Sequence, residues 1–396
     1  MTTKRWKPRE ILVHRKVQDD PITQRIVRAC GGRWVRKITQ ARKGTQVTGV
    51  KSGLRNDIVG KSWVLKQEKG FLGMILAGKR VMYVGPAGGV LDTFKLKHRR
   101  LVCPQFDRLK LSENGCYYAC EWCYLRLTYR TAHPYMTVRA QYDEIKKQIE
   151  RKLKKSGHDI MFNSGELADS LSFDHITQAG KFFIPFFGQT TNGYLFMLTK
   201  SANVDHLLRL PHNQHTIMAW SVNAPGVSKK FEIGAPPFRE RIEAARRAQK
   251  AGYRIRIRLD PIIPVKNWKS LYRETVQNIF KRVAPERITL GTLRFEKAFC
   301  AMQETILSPG HGLQDYMKDM EPMFERDNDG SVGKHSFGRQ RRIDMFSFVM
   351  KEIRRHSDCP IALCKEEPDV WNAVGLDISD CRCVCQLDSA DCRFSV

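Results

Sequence analysis

An α/β fold with a parallel sheet and crossover helices is predicted by three observations on this chain. Strand-like apolar runs recur from about residue 108 onward, segments with helical spacing separate them, and 42% apolar content over 396 residues can bury a large core. The runs are RLKLS (108–112), DIMFNS (159–164), YLFMLTK (194–200), TIMAWSVN (216–223), YRIRIRLDP (253–261), RITLGTLRF (287–295) and PIALCK (360–365). Six or seven strand-helix units predict an open or complete barrel, with any chemistry at the carboxyl ends of the strands.

Ahead of these units, residues 1–98 hold the shorter β-like runs SWVLKQ, GMILAG and RVMYVG, divided by glycines and ending in GPAGGV and KLKHRR. This predicts a small basic N-terminal region at 1–98, a barrel at 99–365 and a cysteine-rich C-terminal tail at 366–396. GPAGG (85–89) lacks the Lys and Ser/Thr of a phosphate loop and reads as a turn. AQYDEIKKQIERKLKK and PFRERIEAARRAQKAG have helical spacing, the second with Pro in its first turn and a stop at Gly252. DNDGSVGKHS (327–336) reads as one loop.

The net charge of +27 asks for a polyanionic partner. Residues 1–100 hold 24 Lys and Arg against 6 Asp and Glu, two thirds of the excess. Such a region is expected to bind nucleic acid, here DNA, with a steep salt dependence. Trp6, Trp34, Trp63 and Phe71 are interleaved with it, either to stack on bases or to pack in a core. The opening MTTKRWKPREILVHRK has no apolar segment after its charges, and no run approaches eighteen apolar residues, so a cytoplasmic chain with no membrane partner is expected. In a reducing compartment the twelve cysteines read as metal ligands or reactive thiols, not disulfides.

Cys116, Cys120 and Cys123, in NGCYYACEWCYLRL, have the spacing C-x3-C-x2-C. Structural zinc wants four closing ligands, and no matching pair lies nearby. A 4Fe-4S cluster held by three thiolates leaves its fourth iron open to a non-protein ligand, which is a use for three cysteines and only three. A chance group of buried cysteines and an unusual zinc loop remain as alternatives. Tyr117, Tyr118, Tyr124 and Tyr129 flank the motif as pocket walls or as packing, with Tyr124 a candidate catalytic group. Cys364, ending the run PIALC, is a candidate catalytic thiol at a strand end. With Cys381, Cys383 and Cys385 it forms either a second metal site or a set of ordinary thiols. Cys30, Cys103, Cys359 and Cys392 read as ordinary buried or terminal thiols.

The cysteine spacing, its place after the first strand and the aromatic Trp122 before the last cysteine resemble the radical S-adenosylmethionine (radical SAM) superfamily. Longer phrases, among them CEWCYLRLTYR, SGELADSLSFDH, LFMLTKSANVDHLL, ITLGTLRFE and LCKEEPDVWNAVGL, are similar to the spore photoproduct lyase family over about residues 100–385. The resemblance implies an α/β fold, a partial (β/α)6 radical SAM barrel. It implies a 4Fe-4S cluster on Cys116, Cys120 and Cys123, with S-adenosyl-L-methionine (SAM) on the open iron. An external one-electron reductant of flavodoxin or ferredoxin type would feed that cluster. It also implies that Glu166 accepts hydrogen bonds from the SAM amino group, and that Lys200, Ser221 and Asn223 hold SAM carboxylate and ribose. Read without it, Glu166 is a helix N-terminal charge and Lys200 a solvated loop cation.

One departure changes the expected function. Spore photoproduct lyases return hydrogen to a thymine radical from a cysteine near the second strand, and in FNSGELADSLSFDH that place is taken by Glu166 or a neighbour, while Asp169, Asp174 and His175 keep the surrounding pattern. Either another thiol substitutes (Cys364, Cys300, or the tail at 381–385), or the reaction is an isomerisation that takes back the hydrogen it removed. The second option leads to the expected function: a radical SAM isomerase acting on a glycyl-type adduct of the thymine methyl during viral DNA hypermodification, in a host cytoplasm. Repair of thymine dimers in DNA by a spore photoproduct lyase-like reaction is the alternative. A nucleic-acid-binding protein with a merely structural cluster is the non-enzymatic reading.

Overall fold

The computed structural model describes residues 6–31, 76–96, 100–126, 135–295, 312–324 and 334–387, and the backbone of 35–38. Trp34, Trp63, Phe71, Tyr129, Cys300, Cys392 and the run SWVLKQ lie outside the described residues.

Residues before 98 contribute β1 (Glu10–His14), β2 (Val35–Ile38), β3 (Val81–Gly85) and β4 (Leu91–Phe94). Of GMILAG, expected as strand, residues 76–78 form a helical turn. GPAGG is a turn, and Gly89 takes a φ of +64° there, a conformation that favours glycine. Next come β5 (Phe106–Leu109), β6 (Ser112–Glu113) and β7 (Met136–Arg139). The strand expected at 108–112 is thus two short ones, with a break at Lys110 and Leu111. One sheet has the order β2-β1-β3-β7-β6, so the two strands that bracket the three-cysteine loop belong to a sheet built largely from the first 98 residues. The boundary expected near 98 falls between β4 and β5, which pair antiparallel.

The remaining strands are β8 (Ile160–Asn163), β9 (Gly193–Thr199), β10 (Thr216–Val222), β11 (Arg254–Ile262), β12 (Arg287–Thr292), β13 (Arg294–Phe295), β14 (Met320–Pro322), β15 (His335–Phe337) and β16 (Ile361–Leu363). The main sheet runs β16-β12-β11-β10-β9-β8-β5-β4. Its strands from β5 to β16 are all parallel, seven in number, and β4 is an antiparallel edge. Each of the seven strand-like runs seen in the sequence from residue 108 contributes residues to a strand of this sheet, although the first also supplies Ser112 to β6 and the sixth Arg294 and Phe295 to β13. Among the described residues the sheet does not close on itself, although one bridge joins Val102, on the way into β5, to Glu366, just after β16. A small antiparallel sheet, β13-β15-β14, sits beyond the end of β12, and it takes His335 and Ser336 from the segment read as a loop.

Burial follows the parallel topology. Every residue of β10 is buried, as expected of a strand covered on both faces. The helix Tyr142–Lys155 sets Tyr142, Ile145, Ile149 and Leu153 at helical spacing against the core, with acids in its first turn and lysines in its last. The helix Phe238–Lys250 packs on β10 and β11 and gives way to Gly252 at φ +88°, as its sequence predicts. Here Pro237 is the N-cap and not the first helical residue. Along β11, Ile255, Ile257 and Leu259 alternate with Arg256, Arg258 and Asp260, so the charged residues share one face. The helices of the described residues include none long and apolar enough to cross a membrane.

Candidate active site

The loop bearing Cys116, Cys120 and Cys123 leaves β6 and is pinned along its length. Gly115 N donates to Leu167 O at 2.8 Å, Ala119 N to Ile233 O at 2.8 Å and Glu121 N to Phe231 O at 2.9 Å. Cys123 N closes a turn on Cys120 O at 3.2 Å. Trp122 packs against Phe231, and Tyr117 is stacked on Trp6 with ring centroids 4.8 Å apart. From the N-terminal sheet, Lys79 Nζ donates to Cys116 O at 2.6 Å and to Tyr118 O at 2.5 Å.

The three thiols lie within reach of one another's charge. Burial pushes Cys116 up to about 12, with Lys79 pulling the other way. Burial likewise raises Cys120, opposed by Lys200. Cys116 and Cys120 must lose their protons to bind a metal, and Lys79 and Lys200 both favour that loss. Among the described residues no three His, Cys, Asp or Glu side chains converge as the ligands of a single ion do. A cubane does not ask for that, because each thiolate binds a different iron. A loop pinned along its backbone, with three thiols close to one another and no fourth in its sequence, therefore fits an iron-sulfur cluster.

The strand ends around this loop carry two ionic networks. In the first, Tyr124 hydroxyl donates to Glu166 O at 3.0 Å and lies 3.4 Å from Glu166 Oε1. Lys365 Nζ is 3.6 Å from the same Oε1, which links the end of β8 to the end of β16. Beside Lys365, Cys364 Sγ accepts from Arg258 Nη2 at 3.0 Å. Arg258 and Arg294 both donate to Asp260 Oδ2, at 2.6 and 3.0 Å. Burial pushes the Asp260 carboxyl up, but Arg294 and Arg258 outweigh it and hold it well below the usual carboxylate range. Burial raises the Cys364 thiol above its ordinary value of 9.0, and Arg258 and Arg294 only moderate that rise.

The second network lies across β9 and β10. Lys200 Nζ donates to Ser221 Oγ at 2.6 Å and stands 3.5 Å from Glu232 Oε1. Glu232 pairs with the buried Arg241 at 2.6 Å. Burial works against the Glu232 charge, yet Lys200 and Arg241 keep its carboxyl below the ordinary value. Asp169 fixes the backbone here, accepting from Lys200 N at 2.6 Å and Thr199 Oγ1 at 2.7 Å.

Glu166, Tyr124 and Cys364 thus share one network, and Lys200 and Ser221 are in direct contact. Glu166 sits in the loop after β8 and caps no helix, and Lys200 is ion-paired, not free in solvent. Asn223 stands apart from them. It is 1% exposed, its Nδ2 donates to Pro261 O at 2.7 Å and its Oδ1 accepts from Tyr272 hydroxyl at 2.7 Å, so its amide ties β10 to β11. Of the flanking tyrosines among the described residues, Tyr118 is buried, Tyr117 is packed and Tyr124 is 44% exposed.

Several residues of the site carried no signal in the sequence. Arg258, Asp260, Arg294 and Lys365 come from three strand ends, and Lys79 from a different sheet. Asn163, on β8, accepts from Gly165 N with Oδ1, while its buried Nδ2 has no hydrogen-bond partner in the structure. The tail folds against the barrel strands: Arg256 Nη1 donates to the carbonyls of Val384 and Gln386, and Arg287 Nη1 to that of Gln386. Cys383 Sγ accepts from Thr289 Oγ1 at 3.6 Å.

Comparison with known proteins places this architecture. The spore photoproduct lyase family model matches residues 108–306, half of the chain. Spore photoproduct lyase of Geobacillus sp. (strain Y412MC61) is 31% identical over 241 residues, covering 61% of this chain and 67% of that protein. That of Bacillus subtilis (strain 168) is 35% identical over 166 residues, covering 42% and 48%. The match therefore spans two thirds of the first relative's length and about half of the second's. A solved spore photoproduct lyase complexed with dinucleoside spore photoproduct has the same fold, with a TM-score of 0.73 at 22% identity over 91% of this chain and all of that one. So does a mutant of it with bound AdoMet and dinucleoside spore photoproduct, at a TM-score of 0.72.

Proposed function

This chain belongs to the spore photoproduct lyase family, and we propose that it is a radical SAM enzyme that acts on thymine-derived lesions in DNA. The observation that carries the reading is the three-thiol loop, held against the carboxyl ends of parallel strands inside the segment that matches the family. In this reading Cys116, Cys120 and Cys123 hold a 4Fe-4S cluster. SAM bound to it supplies a 5'-deoxyadenosyl radical when an external one-electron donor reduces the pair. Glu166 receives the SAM amino group, and Lys200, held by Ser221, receives its carboxylate. Asn223 supports these groups from behind. Tyr124 walls the recess over Glu166.

The named relatives are lyases, which favours repair over the isomerisation expected from the sequence. Repair needs a hydrogen donor for the thymine radical, and the end of β8 offers Asn163, Ser164, Gly165 and Glu166 but no thiol. Cys364 at the end of β16 takes that role. Burial keeps it in the S–H form, the form that can give up a hydrogen atom, and Arg258 fixes its sulfur. The absence of a thiol after β8 is also the specific observation that favours a second reading, isomerisation of a thymine adduct with no donor. One experiment separates them. Anaerobically reconstituted protein with SAM and reductant is given either dinucleoside spore photoproduct or DNA carrying amino-acid-modified thymine. Repair yields two thymines from the first substrate, and isomerisation yields a product of unchanged mass and altered retention from the second. The basic first hundred residues support DNA as the partner.

A further inference from the structure

Lys79 lies just before β3, in the sheet built from the first hundred residues, yet its side chain ends inside the three-cysteine loop. It is 7% exposed, and its Nζ donates to the carbonyls of Cys116 and Tyr118 at 2.6 and 2.5 Å. Two short bonds to carbonyls two residues apart fix the nitrogen relative to Cys116. The contact joins residues 37 positions apart in sequence, so it is a product of the fold and not of the loop. The β6–β7 connection that carries the loop belongs to the same sheet as β3, and β3 pairs directly with β7. Lys79 is therefore held by the same scaffold that holds the ends of the loop.

A buried cation beside a thiolate acts through a medium of low polarity, where charges interact far more strongly than in water. Net charge, hydrogen bonding and burial around an iron-sulfur cluster set its reduction potential. An electron added to a cluster held by three thiolates makes it more negative, and a fixed positive charge nearby stabilises that state more than the oxidised one. We propose that Lys79 is a positioning residue for the cluster, clamping the Cys116 carbonyl and raising the reduction potential of the iron-sulfur group held by Cys116, Cys120 and Cys123. The inference rests on the cluster assignment. It gives the N-terminal sheet an electronic role at the radical site, in addition to any contact with DNA.

The step is a one-electron reduction: the electron comes from the external reductant and the cluster gains it.

The test compares Lys79→Gln, which keeps an N–H donor and loses the charge, with Lys79→Arg, which keeps both. Each full-length variant is reconstituted anaerobically, its iron is counted, and its midpoint potential is read by electron paramagnetic resonance during a redox titration without substrate. The expected result is full iron in all three proteins, a potential near wild type in Lys79→Arg, and at least a tenfold loss in the reduction equilibrium in Lys79→Gln. For one electron that loss is about 59 mV toward more negative potential. Loss of cluster in Lys79→Gln with retention in Lys79→Arg supports the same role for the charge. A wild-type potential in Lys79→Gln, an equal shift in both variants, or cluster loss in both overturns it. Wild-type protein that holds no iron removes the cluster assignment itself, a result distinguishable from all of these.

Discussion

Arg258 on β11 donates to the sulfur of Cys364 at the end of β16 over 3.0 Å, although 106 positions separate them in the sequence. The bond places a thiol, held in its S–H form by burial, at the carboxyl edge of the sheet where the family's chemistry is expected. Its neighbour Lys365 reaches Glu166, and Glu166 reaches Tyr124, so contacts run from the residue beside the thiol to the three-cysteine loop.

Replacing Cys364 separates radical formation from product formation. In Cys364→Ala, SAM cleavage to 5'-deoxyadenosine should continue while repaired thymine falls by about tenfold or more, a barrier increase of roughly 1.4 kcal/mol. Because the folded thiol titrates above its ordinary value of 9.0, wild-type repair should not decline between neutral pH and that value through loss of the S–H form. Product chromatography on both proteins across that range checks both statements. Full repair by Cys364→Ala would remove the thiol from the reaction.

Lys200 and Asn223 should part company under mutation. Lys200→Met removes a charged donor held by Ser221, and SAM affinity should weaken by about tenfold, in line with roughly 1.5–3 kcal/mol for a hydrogen bond to a charged group. Asn223→Ala removes the donor to the Pro261 carbonyl and the acceptor of the Tyr272 hydroxyl, which keeps its bond from Ile263 N, and should cost about 1–3 kcal/mol of stability. Calorimetric SAM titration and urea unfolding on each variant make the comparison. An Asn223→Ala protein of normal stability that binds no SAM would reverse the assignment.

Asp260 carries a pH dependence whose sign is fixed by its partners. Its folded carboxyl titrates below the ordinary value of 3.8, so its contribution to stability is fully present above that pH and is lost as pH falls through the lower folded value. Asp260→Asn leaves Arg258 and Arg294 without their shared anion, which should cost about 3–5 kcal/mol near neutrality. The gap between wild type and variant should stay constant down to about pH 4 and narrow below it. Unfolding midpoints measured over that range test it, and a gap that closes between pH 7 and 5 would assign the dependence elsewhere.

The fold was legible because its signal is local. Most of the seven parallel strands show as apolar runs such as TIMAWSVN, bounded by turns and helical segments, and burial on both faces makes such runs stand out; β5 and β11, which carry charges, show less plainly. The cluster cysteines were legible for the same reason, three thiols within eight positions. The charged set Arg258, Asp260, Arg294 and Lys365 was not, because each residue looks like an ordinary strand or loop charge until the sheet brings the strand ends together. Lys79 was hidden further: it is one basic residue among 24 in a region read as a surface for DNA, and only the pairing of β3 with β7 carries it to Cys116. Asn223 shows the converse: its motif position is plain in the sequence, but its bonds to Pro261 and Tyr272 are not.

The most direct measurement is product analysis on dinucleoside spore photoproduct with wild-type protein that has been reconstituted with iron and sulfide, supplied with SAM and reduced. The expected result is recovery of two thymines together with 5'-deoxyadenosine, and loss of both in the variant carrying Cys116→Ala, Cys120→Ala and Cys123→Ala. Intact photoproduct in the presence of a full iron-sulfur cluster and active SAM cleavage would contradict it.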